Sequence, residues 1–175
     1  TCGVGLNNAM ASAINVLGDS HGGAGQECVQ LLNEISDRMR AGIAPAEAAA
    51  EVIEAWRARG IRYLPGFGHR FHTRDPLLSL VDRAVAAGVV DGGHLRAALA
   101  VEAALNRGRS RPVPMNIDGA TAVIYAELGF PAPLARGLFV LSRSVGILAH
   151  AWEETGQGRR NKGPIPPAVR PTYLG

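Results

Sequence analysis

The chain has 175 residues, of which 47% are hydrophobic and 19% charged, and carries a formal net charge of +3. That apolar share, with a mean hydropathy of +0.06, argues against disorder and for one compact domain, or a small domain with part of another. Aromatic residues make up only 5% and do not interleave with the basic clusters, so base stacking has little to work with and a nucleic-acid-binding role is disfavoured.

In chain order the pattern is helical. Residues 2–17 and 24–40 carry apolar side chains at helical spacing. Thr1 is not an initiator methionine, and the chain enters an Ala-rich helical pattern without capping or leader residues, which reads as a piece of a longer chain. Pro45 at a first-turn position, followed by Ala46 to Glu51, starts a third helix that Gly60 stops. Tyr63 to Thr73 is the main non-helical segment, and loops on a rigid helical scaffold are the usual place for chemistry. Asp75-Pro76 is a cap and first-turn pair for a helix ending near Gly88. Further helices run from Gly93 to Arg107, from Asp118 to before Gly129, and from Pro133 to Glu154. No alternating strand pattern occurs, so the expected fold class is all-α.

The longest apolar stretch, Gly137 to Trp152, is interrupted by Arg143 and His150, and from this no membrane span is expected. Cys2 and Cys28 lack metal-ligand spacing and read as reduced structural thiols, which goes with a cytoplasmic location. His72 and Asp75 lack the further ligands a metal site needs, so no metal is expected. His94 and His150 read as packing or capping residues, and Trp56 and Trp152 as core or interface anchors.

Three glycine-rich motifs carry the chemistry: Gly18-Asp19-Ser20-His21-Gly22-Gly23-Ala24, Pro65-Gly66-Phe67-Gly68-His69, and Asn116-Ile117-Asp118-Gly119. Glycine lets backbone approach a ligand closely, so each imidazole sits on a presentation loop. An imidazole exchanges protons near neutral pH and a positioned carboxylate serves as a base. Two histidines and one aspartate suit carbon-acid chemistry. The acid removes a proton beside a carbonyl, one histidine stabilises the enol oxygen, and the other handles the proton on the second reactant. Singly these residues are ordinary capping or solvated groups; together they point to one site.

These motifs, with Ser142-Arg143-Ser144-Val145-Gly146, His150 and the segment from Arg170 to Gly175, resemble the carboxy-terminal part of the citrate synthase family. The resemblance implies a helical small domain over residues 24–129 that carries the CoA and catalytic loops. Residues 1–23 and 130–175 would belong to a larger helical domain, with the active site in the cleft. It implies that His21 binds the thioester carbonyl oxygen of acetyl-CoA, Asp118 takes the methyl proton, and His69 acts on the carbonyl of a 2-oxo acid. Arg143 and Arg170 would bind substrate carboxylates, a task that suits the two-pronged, permanently charged guanidinium. Leu64, Gly66 and Gly68 would contact the adenine of CoA, and Arg109 and Arg111 its phosphates. Arg159, Arg160 and Lys162 read instead as an exposed loop. The resemblance implies a homodimer in which Arg170 reaches the partner's site, CoA as substrate, and no permanently bound cofactor.

Two positions depart from the family pattern: Leu77 follows Asp75-Pro76, and Ala168 precedes Arg170, where the family often has arginines. Losing a charge-assisted contact typically removes about 1.5–3 kcal/mol, roughly a tenfold to hundredfold effect on binding. The expected substrate is therefore a less charged 2-oxo acid, or a citryl-CoA-like thioester that is cleaved. The alternative is a CoA-thioester-binding module with little turnover, against which the joint retention of His21, His69 and Asp118 argues.

Overall fold

A computed structural model describes residues 3–19, 21–68, 78–158, 166–170 and 172. Among these residues the elements are α1 (Leu6–Asn15), α2 (Ala24–Arg40), α3 (Pro45–Ala58), α4 (Leu78–Ala86), α5 (Gly93–Asn106), α6 (Ile117–Glu127), α7 (Ala132–Gly156) and a 3-10 turn at Pro167–Val169. Two isolated bridges are the only β pairing among the described residues, and the all-α expectation holds. His69, Arg70, His72, Asp75 and Leu77 lie outside the described residues.

The chain divides into two units, Leu17–Val140, and Thr1–Val16 with Leu141–Gly175. In the first, α2 places Cys28, Leu31, Leu32 and Ile35 on one fully buried face, the three-and-four spacing of an amphipathic helix. Burying each of the larger side chains contributes about 1.5–3 kcal/mol. α2 packs against α3, α5 and α6. These neighbours carry small buried residues in the same core, Ala48 and Ala49 on α3, Ala97 and Ala98 on α5, Ala122 and Ala126 on α6, which let helix axes approach closely. Trp56 is buried on α3, as an anchor should be.

The second unit contains no buried hydrophobic residue among those described. α1 starts at Leu6, later than the apolar spacing predicts, because Gly3 takes a left-handed φ of +71° and Gly5 is an extended N-cap. α7 differs from the sequence reading in its hydropathy. It is long and apolar enough to cross a membrane by length and composition, with mean hydropathy 1.3 over its best window. Arg143 and His150 alone do not offset its leucines, valines, isoleucine and alanines. Trp152 is 68% exposed on it, so this tryptophan is no core anchor within the chain.

Candidate active site

The acid is set by a helix start. Asn116 is the N-cap of α6, and its side-chain oxygen accepts from the backbone N–H of Asp118 at 3.0 Å and of Gly119 at 3.2 Å. Asp118 is half-buried in the first turn, where the helix dipole favours a carboxylate. The preceding residues are tethered to α5: Glu102 Oε1 accepts from Met115 N at 2.9 Å, and Asn106 Oδ1 from Val113 N at 2.7 Å.

The segment from Gly66 to Gly68 lies antiparallel to this one. Gly68 N donates to Pro114 O at 2.7 Å, Asn116 N donates to Gly66 O at 3.0 Å, and Phe67 pairs with Met115. Asn116 Nδ2 adds a bond to Gly68 O at 3.0 Å. Gly66 has φ +83°, and a Cβ there would fall 2.5 Å from Cys28 Sγ and 2.8 Å from Gly119 Cα. A Cβ on Gly119 would in turn overlap Gly66 O. The loop, α2 and α6 therefore meet at a point where only glycine fits. Burial, and then the negative charge of Asp118, push the Cys28 thiol up out of the range in which it ionises. Cys28 is consequently a packing group, not a nucleophile.

His21 is exposed on the turn before α2. Its carbonyl accepts from Gly18 N at 2.9 Å. Arg136 on α7 fixes the turn by a 2.5 Å ion pair with Asp19, its guanidinium so near Gly23 that a Cβ there would fall 2.9 Å from it. Leu64 and Gly66 are buried and Gly68 is half-buried, whereas Arg109 and Arg111 are exposed on the loop after α5. Arg143 on α7 and Arg170 after the 3-10 turn are both exposed and belong to the second unit.

The structure thus brings Gly66 and Gly68 together with Asp118. Sequence reasoning assigned no role to Asn116, although an Asn directly before a helical run is an N-cap signature. The Arg136–Asp19 pair and the Glu102 tether join residues distant in sequence and leave no local signal.

Among the described residues, an all-helical scaffold presents a first-turn carboxylate, Asp118, beside the Gly66–Gly68 loop, and an exposed imidazole, His21, on the turn before α2. The chain belongs to the citrate synthase family: the family described as citrate synthase, C-terminal domain, matches residues 2–172. It is 30% identical over 161 residues to the citrate synthase of Acidithiobacillus ferridurans, covering 87% of this chain and 39% of that one. It therefore spans about two fifths of this relative's length. Among solved structures it resembles citryl-CoA lyase from Hydrogenobacter thermophilus, with TM-score 0.79, 27% identity, and coverage of 99% of this chain and 65% of that one. It also resembles Thermoplasma acidophilum citrate synthase, solved as a ternary complex with carboxymethyl coenzyme A and oxaloacetate. There the TM-score is 0.62 and the identity 25%, over 90% of this chain and 42% of that one.

Proposed function

We propose that the protein makes or cleaves the carbon–carbon bond between acetyl-CoA and a 2-oxo acid, in the manner of citrate synthase or citryl-CoA lyase. The observation that carries the reading is Asp118 in the first turn of α6, whose backbone N–H donates to the N-cap Asn116, which in turn donates to Gly68 O of the glycine loop directly before His69 in sequence. Leu77 and Ala168, where the family often has arginines, support a substrate other than fully clamped oxaloacetate.

In the cleavage direction His69 accepts the hydroxyl proton of the citryl group and the carbon–carbon bond breaks to give the oxo acid. The electron pair moves into the thioester enolate, which His21 stabilises at oxygen, and Asp118 delivers a proton to the methylene carbon to give acetyl-CoA. Condensation is the reverse. Arg143 and Arg170 bind substrate carboxylates, Leu64, Gly66 and Gly68 take the adenine, and Arg109 and Arg111 the CoA phosphates. The same reading includes a cytoplasmic homodimer without a resident cofactor, nucleic-acid partner or membrane anchor.

The test is mass-spectrometric product analysis of the full-length protein with citryl-CoA, and separately with acetyl-CoA plus a panel of 2-oxo acids. Acetyl-CoA and oxaloacetate released from citryl-CoA identify a lyase, and condensation with one panel member identifies a synthase and its acceptor. Asp118→Asn is expected to keep thioester binding while turnover falls about 10²–10⁴-fold, the usual contribution of a positioned base. Thioester binding without product in either assay would leave a binding module instead.

A further inference from the structure

We propose that Asn116 is a positioning residue that sets the Gly66–Gly68 loop and Asp118 as one unit. This rests on the reaction proposed above. Both ends of one amide are used. Its oxygen accepts from Asp118 N and Gly119 N, and its nitrogen donates to Gly68 O, the carbonyl directly before His69 in sequence.

Asn, Asp and Ser cap helices about equally well, so capping alone does not explain the choice. The partners demand opposite chemistry, since two N–H groups need an acceptor and a carbonyl needs a donor. Asp and Ser meet the first demand. An aspartate has no donor for Gly68 O, and a serine hydroxyl is too short to reach it while capping. Asn alone of the three serves both.

The surroundings make the link rigid. Glu102 and Asn106 hold residues 113 and 115 to α5, and the contact of Gly66 with Gly119 removes slack on the other side. A displacement of the loop therefore moves it relative to the acid unless the Asn116–Gly68 bond is kept. Misplacing a catalytic group by an ångström can cost two orders of magnitude in rate.

The experiment uses Asn116→Asp and Asn116→Ser in the full-length protein. Each keeps an N-cap acceptor and loses the donor to Gly68, one by repulsion and one by reach. Expected are melting temperatures near wild type, KM for the CoA thioester within about threefold, and kcat lower by about 100-fold. Hydrogen exchange at Gly68 N–H, which bonds Pro114 O, should quicken by about tenfold or more as the pairing loosens. Wild-type values of either kcat or Gly68 exchange in both variants would overturn the inference. Asn116→Ser decides if the carboxylate of Asn116→Asp lowers the melting temperature. An inactive wild type would defeat the proposed reaction rather than the tether, which the exchange rates then decide alone.

Discussion

Position 119 tolerates hydrogen and little else. Ala at a helical site is ordinarily favoured over Gly by about 1 kcal/mol, so propensity alone predicts that Gly119→Ala stabilises α6. Packing opposes this. The new methyl would overlap Gly66 O and lie 2.5 Å from Met115 Cγ, and the first of these is backbone that a rotamer change cannot move. Overpacking of this kind costs about 1–3 kcal/mol, enough to outweigh the propensity gain. The expected outcome of Gly119→Ala is a melting temperature lower by several degrees and a kcat reduced more than KM, because the displaced atoms belong to the loop beside Asp118. Thermal denaturation and steady-state kinetics check it. An equal or raised melting temperature would mean that the loop yields freely at Gly66.

At the scale of elements, α6 serves α5 as well as the acid. Glu127, its last residue, accepts from Gly92 N at 3.2 Å and Leu95 N at 3.0 Å, while Asp91 accepts from Gly93 N at 2.6 Å, so carboxylates satisfy three backbone donors at the start of α5. His94 lies in the same turn with Nε2 3.1 Å from Asn33 Oδ1 on α2. Burial lowers its pKa, Arg40 acts in the same sense, and Glu127, Asp91 and Asp37 oppose them. The folded state thus holds this proton less readily than the unfolded chain. Its contribution is complete above the unfolded pKa of roughly 6.5 and is lost as pH falls through the window beneath. His94→Gln, which keeps a donor to Asn33, should lose less stability than wild type between neutral and mildly acid pH. Parallel melting-temperature profiles for the two proteins would remove His94 from the acid sensitivity.

These elements also mark what was legible. The bounds of α2, α3 and α5 follow from local punctuation, Pro45 at a first turn and Gly23 and Gly93 at starts. The Asp118 motif was visible for the same reason. The ties that build the site were not, because Asn116 and Gly68 are 48 residues apart and Glu127 and Gly92 are 35 apart, and periodicity reports only neighbours along one helix. The mean hydropathy of α7 goes unread because Arg143 and His150 read as breaks in the apolar stretch.

For the whole molecule, the open question is what completes the second unit. α7 exposes Leu141, Val145, Leu148 and Trp152, spaced by four, three and four residues, the heptad spacing of a helix seam. The intervening Ser142, Arg143 and His150, and Glu153 just after them, are polar and exposed, whereas a lipid span is apolar all round. The pattern therefore favours protein over lipid as the cover. If the protein is the proposed homodimer with Arg170 acting in its partner's site, two inactive variants must complement. Asp118→Asn and Arg170→Ala should each be nearly inactive alone. In a mixed dimer, one site would combine the intact Asp118 of one subunit with the intact Arg170 of the other, and the second site would lack both. Equal co-refolding makes half the dimers mixed, each with one working site, so about one quarter of wild-type activity is expected from two-fold symmetric assembly. Mixing that restores nothing, with dimers confirmed by light scattering, would place Arg170 in its own subunit's site or outside the site altogether.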